Sequence, residues 1–277
     1  MKTTKILVSI FVLALTFTLY SCREEENLQP VSEQEELEIA DESTSHDALV
    51  DFEMQIFEEL IAEDEGGRIA AGCVTITRDA DAKTITLDFG EGCVGPHGRE
   101  RSGKVIITYG GEFGDHLANR VISFHNYFVN NKQITGTIEV RDFNLDEDGN
   151  RTHTRRHVDL RVLFPDGNHF TSNGTITLTW IAGFGDGDPA NNVFKITGSQ
   201  EGVSTRGRHV TRTITDPVVI DFSCIANGGF GTVAGKIEIY IKGVHREQTR
   251  IIDYGDGTCD GTITITVNGK ILAVTLS

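Results

Sequence analysis

The sequence predicts an all-β body, an antiparallel meander-rich β-sandwich or curled sheet, preceded by one amphipathic helix. Three observations carry this expectation. Beyond Ala71 the apolar residues recur with a period of two, the side-chain period of a strand. Those runs are rich in Val, Ile, Thr, Phe and Tyr, which suit a pleated, half-buried surface. Gly, Asn and Asp bound them at short intervals, and Asp148-Gly149, Pro165-Asp166-Gly167-Asn168 and Asn268-Gly269 are hairpin signals that pair neighbours antiparallel.

The chain opens with Lys2 and Lys5 followed by a mostly apolar stretch, residues 6–20, the pattern of a secretory signal peptide over residues 1–21. The stretch is shorter than the roughly 20 residues of a comfortable membrane span. Leu19-Tyr20-Ser21-Cys22 resembles the lipobox of bacterial lipoproteins, which implies that Cys22 becomes the lipid-modified first residue of the mature protein. Two acyl chains suffice for stable anchoring. The run Glu24-Glu25-Glu26 resembles the acidic surface-export signal of lipoproteins from Bacteroidetes-type bacteria. Export to the outer membrane, with exposure at the cell surface, is the expected address.

Residues 22–44 are acidic and free of aromatics and read as a tether. Over residues 45–65, Leu49, Phe52, Ile56 and Leu60 recur with Val50, Phe57 and Ile61 at helical spacing, with Thr44 or Ser45 as N-cap and Asp47 in the first turn. Docking of this helix against the β body is expected, because its polar face carries Glu and Asp rather than the Lys and Arg that anionic lipid attracts.

Residues 66–277 read as one β domain. About 14 strands are predicted, among them residues 84–87, 104–109, 120–124, 133–141, 152–164, 169–180, 193–204, 208–215, 218–222, 236–241 and 262–267. With Cys22 acylated, four cysteines remain, an even number in an exported chain, and read as two disulfides. Sequence alone permits three pairings. Cys73 with Cys93 and Cys224 with Cys259 are favoured, because each pair brackets strand-turn-strand sequence.

An internal echo links Asp88-Phe89-Gly90-Glu91-Gly92-Cys93, followed by Gly103-Lys104-Val105-Ile106, to Asp221-Phe222-Ser223-Cys224, followed by Gly235-Lys236-Ile237-Glu238. Asp253-Tyr254-Gly255-Asp256-Gly257-Thr258-Cys259 repeats the first element with one insertion. Duplication, or one local way of ending a strand used three times, explains it. DFGEGC followed by SGKVIITYGG, then ISFHNYFVNNKQITGT and the ending YGDGTCDGTITITVNGK, resemble recurring segments of uncharacterised lipoproteins from Bacteroidetes over most of residues 73–277. The resemblance implies lineage and compartment and brings no activity or site residues with it.

The formal charge is −16, and its distribution matters more than its size. Residues 23–65 hold 17 Asp and Glu against one Arg, leaving residues 66–277 with 24 acidic against 22 basic. The acidity belongs to the N-terminal stalk, so the low isoelectric point says little about ligand choice. No nucleic-acid partner is expected of a chain with this balance.

The most distinctive polar stretch is Arg151-Thr-His153-Thr-Arg155-Arg156-His157-Val-Asp159-Leu-Arg161. On an unbroken strand Arg151, His153, Arg155, His157, Asp159 and Arg161 share one face, and Arg206, Arg208, His209 and Arg212 extend it if their strand lies alongside. Such a stripe suits the bidentate grip of carboxylate or phosphate sugars; a solvated face balanced by neighbouring Asp and Glu or by the acidic stalk is the plainer reading. His153 and His157 are about 13 Å apart along a strand, too far to share a metal ion. Asp186 and Asp188, with Asn191 and Asn192, offer weak calcium ligands, though Asp and Asn are also what turns require; Asp142, Asp146 and Asp148 are a weaker cluster still. No other cofactor is expected.

No GxSxG, HExxH, Walker loop or helix-opening GxGxxG occurs. Glu112, Asp115, Glu139 and Glu238 are the carboxylates from which a glycosidase pair would have to be built. The expectation is a non-catalytic binding or structural lipoprotein that contacts polysaccharide or another envelope protein. The alternative is a secreted carbohydrate-active enzyme on a β-sandwich. Tyr109, Tyr127, Phe128 and Trp180 are the aromatic candidates for a binding face, with core packing as the commoner role.

Overall fold

The structure is a computed structural model that describes residues 32–65, 73–95, 98–111, 119–186, 188–242, 250–267 and 269–275. The segment expected to be a signal peptide, residues 1–21, and the expected lipidation site Cys22 lie outside the described residues.

The first element is a helix, α1 (Glu33–Glu65). It starts twelve residues ahead of Ser45, so residues 33–44 are helix rather than tether. The cap is Ser32, whose hydroxyl accepts the Glu35 N–H at 3.2 Å. Ser32 with Glu35 three residues on has the sequence spacing of a capping box, though the Glu35 carboxylate itself turns to Arg208. Thr44 sits inside the helix, its hydroxyl bonded back to the Ala40 carbonyl at 2.8 Å.

Fourteen strands follow: β1 (Thr75–Asp79), β2 (Thr84–Asp88), β3 (Cys93–Val94), β4 (Glu100–Tyr109), β5 (Arg120–Val129), β6 (Lys132–Leu145), β7 (Arg151–Leu163), β8 (His169–Ala182), β9 (Val193–Ser204), β10 (His209–Asp221), β11 (Thr232–Ile241), β12 (Arg250–Asp256), β13 (Thr262–Val267) and β14 (Lys270–Thr275). A short helix, α2 (Phe222–Ala226), follows β10. All fourteen join one antiparallel sheet in chain order from β1 to β14, except that β3 pairs only with the start of β4. The fold is therefore the curled sheet of the two expected architectures. The runs 208–215 and 218–222 form a single strand, β10, whose register with β9 shifts between Thr213 and Val218 around Pro217.

The sheet curls around α1. The helix reaches Arg101 on β4, Tyr127 on β5, Arg155 on β7, Ser172 on β8, Arg212 on β10 and Arg250 on β12. Phe52, Glu53, Met54, Gln55, Ile56 and Phe57 are all buried, though consecutive residues point around a helix at 100° intervals. Burial therefore extends round the helix instead of along one stripe. The core is the helix together with the inward side chains of the strands, among them Ile85, Val105, Ile122, Ile134, Val162, Phe170, Ile239 and Ile252.

Bulges supply the curvature. Gly103 (φ +80°) lies against Asn126, which has a positive φ of 48°, and Gly136 (φ +95°) lies against Asp159, with φ 47°. A Cβ at Gly103 would fall 1.9 Å from the Asn126 carbonyl oxygen, so both space and backbone angle demand glycine.

The echo has a common structural role. Asp88 and Asp221 end their strands and Asp253 lies midway along β12, and each Oδ1 accepts the N–H two residues on, from Gly90, Ser223 and Gly255, at 2.9, 2.9 and 3.0 Å. The aromatic after each Asp, Phe89, Phe222 or Tyr254, is buried. Lys104 bonds Asp88 at 2.7 Å and Lys236 bonds Asp253 at 3.2 Å, each across a strand pair. Disulfides join Cys73 to Cys93 and Cys224 to Cys259, the favoured pairing.

Candidate functional site

The stripe on β7 does not stay on one face. The register slips between His157 and Leu160, where Asp159 adopts its positive φ opposite Gly136. Arg155 and His157 point inward, and beyond the bulge Leu160 and Val162 take the inward places. Arg161 consequently falls on the opposite face. His153 is packed between Phe143, stacked at 5.4 Å, and Phe194. Arg208 and Arg212 also point inward.

The expected anionic-ligand stripe is thus occupied from within. Arg155 donates to Asp51 at 2.6 Å, Arg208 to Glu35 at 2.9 Å and Arg212 to Asp47, all on α1. The same arrangement extends beyond the predicted residues. Arg101 grips Glu53 through Nε and Nη2, both at 2.9 Å, and the Tyr127 hydroxyl donates to the same carboxylate. Arg250 donates to Glu36 at 2.6 Å and the Thr205 N–H to Glu42 at 3.1 Å, while Arg206, one of the residues expected to extend the stripe, donates to Glu38 at 2.6 Å. Sequence reasoning read Glu35, Glu36, Glu38 and Glu42 as tether and so missed their strand partners, whereas Asp47, Asp51 and Glu53 lie on the helix expected to dock against the β body. The available signal was the surplus of acid in one segment beside a chain whose inward strand positions carry arginine.

A polar network fills the middle of this interface. The His46 Nε2 lies 3.1 Å from the Leu160 carbonyl and 3.3 Å from the Ser172 hydroxyl. The His157 Nδ1 lies 2.8 Å from that hydroxyl and 2.9 Å from the Gln200 amide nitrogen. Asp47, 3.1 Å from His46 Nδ1, favours a charged ring, but Arg212 already engages that carboxylate. Burial, with Arg212 alongside, pushes His46 down to about 3. Burial likewise lowers His157 well below the usual imidazole range, and His153 to about 3. Burial raises the Asp51 carboxyl, with Arg155 opposing it. Burial pushes Arg212 down to about 10 and Tyr254 up to about 12. His157, Gln200, Arg212, Asp47, Asp51 and Tyr254 line a cavity of about 40 Å³. At about 15 Å³ per water it has room for two or three waters, not for a sugar.

A second concavity opens on the surface where the β6–β7 hairpin meets the end of β8. It measures about 400 Å³ and is lined by Leu145, Gly149, Asn150, Arg151, Trp180, Ile181, Ala182 and Phe184. Trp180 is fixed by its indole N–H, which donates to Asn192 at 3.0 Å, and by Phe194 beneath it, with centroids 5.0 Å apart. Phe184 stands edge-to-face on Trp180 at 4.7 Å, and the Arg151 guanidinium covers it at 4.4 Å. Among the described residues no carboxylate engages Arg151. Leu145, Ile181 and Phe184 are exposed. Trp180 is the predicted aromatic that reaches a surface site; Tyr109 and Tyr127 are core residues, and Phe128 is half-buried on β5.

Asp186 and Asp188 hold their loop together. Asp186 accepts from the Asp188 N–H at 2.9 Å and the Asn191 amide at 2.8 Å, and Asp188 from the Ala190 N–H at 3.0 Å. No group of three His, Cys, Asp or Glu side chains with metal-site geometry occurs among the described residues. Of the glycosidase candidates, Glu112 and Asp115 lie outside the described residues. Glu139 binds Arg141 and Arg156 on β6 and β7, while Glu238 is exposed on β11, five strands away in the sheet.

Comparison of the chain with known protein families, with curated proteins and with solved structures finds no match.

Proposed function

We propose that this chain is an exported envelope lipoprotein, anchored in the outer membrane through Cys22 and exposed at the cell surface, whose β body binds glycan without transforming it. The address rests on the lipobox-like Leu19-Tyr20-Ser21-Cys22 and the acidic run behind it. The binding role rests on one observation, the surface cleft in which Arg151, free of carboxylate partners among the described residues, stands over Phe184 beside a fixed Trp180. Aromatic faces and edges pack against the C–H face of a sugar ring, and a guanidinium fork meets hydroxyl or carboxylate oxygens. The cleft lining contains no carboxylate, which favours binding over glycosidic hydrolysis at this place. The interior arginines, already paired, have no part in it.

The test is incubation of the protein with arrays of neutral and acidic polysaccharides, recording retention and released products, beside Arg151→Gln and Phe184→Ala. Retention that drops about tenfold, some 1.4 kcal/mol, in either variant is expected. Released products, or retention indifferent to both substitutions, contradict the reading.

A further inference from the structure

The two ends of the sheet differ in how they meet solvent. β1 ends in Arg78 and Asp79 and has Thr75 and Thr77 exposed, the polar and charged composition that discourages strand addition. β14 is apolar and open. All six of its residues are exposed, including Ile271 at 69 %, Leu272 at 40 % and Val274 at 36 %, and among the described residues it pairs only with β13. Leu272 and Val274 stand opposite Ile265 and Ile263, which are buried, so they continue the inward apolar row of the sheet past the point where cover ends. A strand laid along β14 would cover that row and satisfy its outer backbone groups.

We infer that the occupant is β14 of a second copy, paired antiparallel about a two-fold axis through Ala273. Three features favour it. Rotation about an axis normal to the sheet keeps inward residues inward, and centring on Ala273 sets Leu272 opposite Val274 of the second copy, and Ile271 opposite Thr275. Both faces of the new ladder are thereby complementary, with the smallest side chain on the axis. The two Lys270 residues fall at opposite ends, about 20 Å apart and beyond the roughly 8 Å screening length. The chain's own N-terminal stretch fits badly, because three consecutive glutamates, Glu24 to Glu26, would set at least one carboxylate on the apolar row in either register and Pro30 lacks a ladder donor. Pairing like edges closes as a dimer, whereas β14 on β1 would propagate. A six-residue strand pair buries less than the roughly 1,600 Å² of a standard interface, so the dimer is a micromolar one.

The full chain, purified in detergent, is measured by sedimentation equilibrium between about 1 and 200 μM, and Ala273→Cys and Thr77→Cys are each oxidised. Antiparallel partners across the axis have Cα atoms about 4.5 to 5.5 Å apart, within disulfide reach. A mass that doubles over this range, with covalent dimer from Ala273→Cys and none from Thr77→Cys, is expected. A constant monomer mass, or cross-linking through both cysteines alike, overturns the proposal. Because Ala273 is exposed, failure to fold is not the anticipated result of its substitution; the unmodified chain supplies the mass reading in any event.

Discussion

Glu53 on the central helix and Arg101 on β4 form a two-bond ion pair with side-chain exposures of 1 % and 0 %, closed on its third side by the Tyr127 hydroxyl. A pair this deep has lost its water, so its worth depends on both members being present. Removing one leaves an uncompensated buried charge. Glu53→Gln or Arg101→Met is expected to cost about 3–5 kcal/mol, while Glu53→Met with Arg101→Met costs far less than the sum. Urea midpoints of the three variants check this, and additive losses would count against the pair.

Acid should weaken the fold. His46 and His153 are held near 3 and His157 well below its usual value, all three by burial, against an unfolded value near 6.5. Between those values the unfolded chain binds more protons than the folded one, so stability present above about pH 6.5 is lost as pH falls toward 3. Each histidine contributes a slope of roughly 1.4 kcal/mol per pH unit within that window. Asp51, whose carboxyl is raised by burial, acts in the opposite sense from about pH 4 upward. Urea unfolding at pH 7.5, 6 and 5 measures the net slope; a flat profile would mean that these rings are not neutral in the fold.

The disulfides bracket segments separated by 20 and 35 residues. In the chain-entropy account each adds about 3–4 kcal/mol by restricting the unfolded state. Thiol titration of the denatured, unreduced body is expected to find none of Cys73, Cys93, Cys224 or Cys259 free, and Cys224→Ser with Cys259→Ser is expected to lower the thermal midpoint.

Gly103→Ala should destabilise the fold by more than the usual surface change, since its φ is positive and its Cβ would meet the Asn126 carbonyl. A loss above about 3 kcal/mol in urea, against about 1–2 kcal/mol for Gly149→Ala, where the Cβ meets nothing but the φ is also positive, separates the packing clash from backbone strain.

The strands, their antiparallel pairing and the disulfide partners were legible because each is written locally, in a period of two, in turn residues and in the cysteines beside them. What escaped depends on distant contacts. One positive φ at Asp159 reversed the facing of Arg161, and alternation cannot anticipate a bulge whose other half is Gly136. The start of α1 was present in Ser32 and Glu35, but a segment so acidic reads as solvated until the arginines that neutralise it are seen to point inward. The surface cleft joins Arg151 to Phe184 across two hairpin ends, a closeness that neither end encodes.

α1 is the enclosed core of the curled sheet and the partner of its arginines. Hydrogen exchange of the folded protein tests this most directly. Amides of residues 39–57 are expected to exchange only by global unfolding, with the same denaturant dependence as β5 and β7. Rapid exchange of those amides while β5 and β7 remain protected would contradict the account, because the helix would then be a loosely held stalk and the arginine-lined interior would be open.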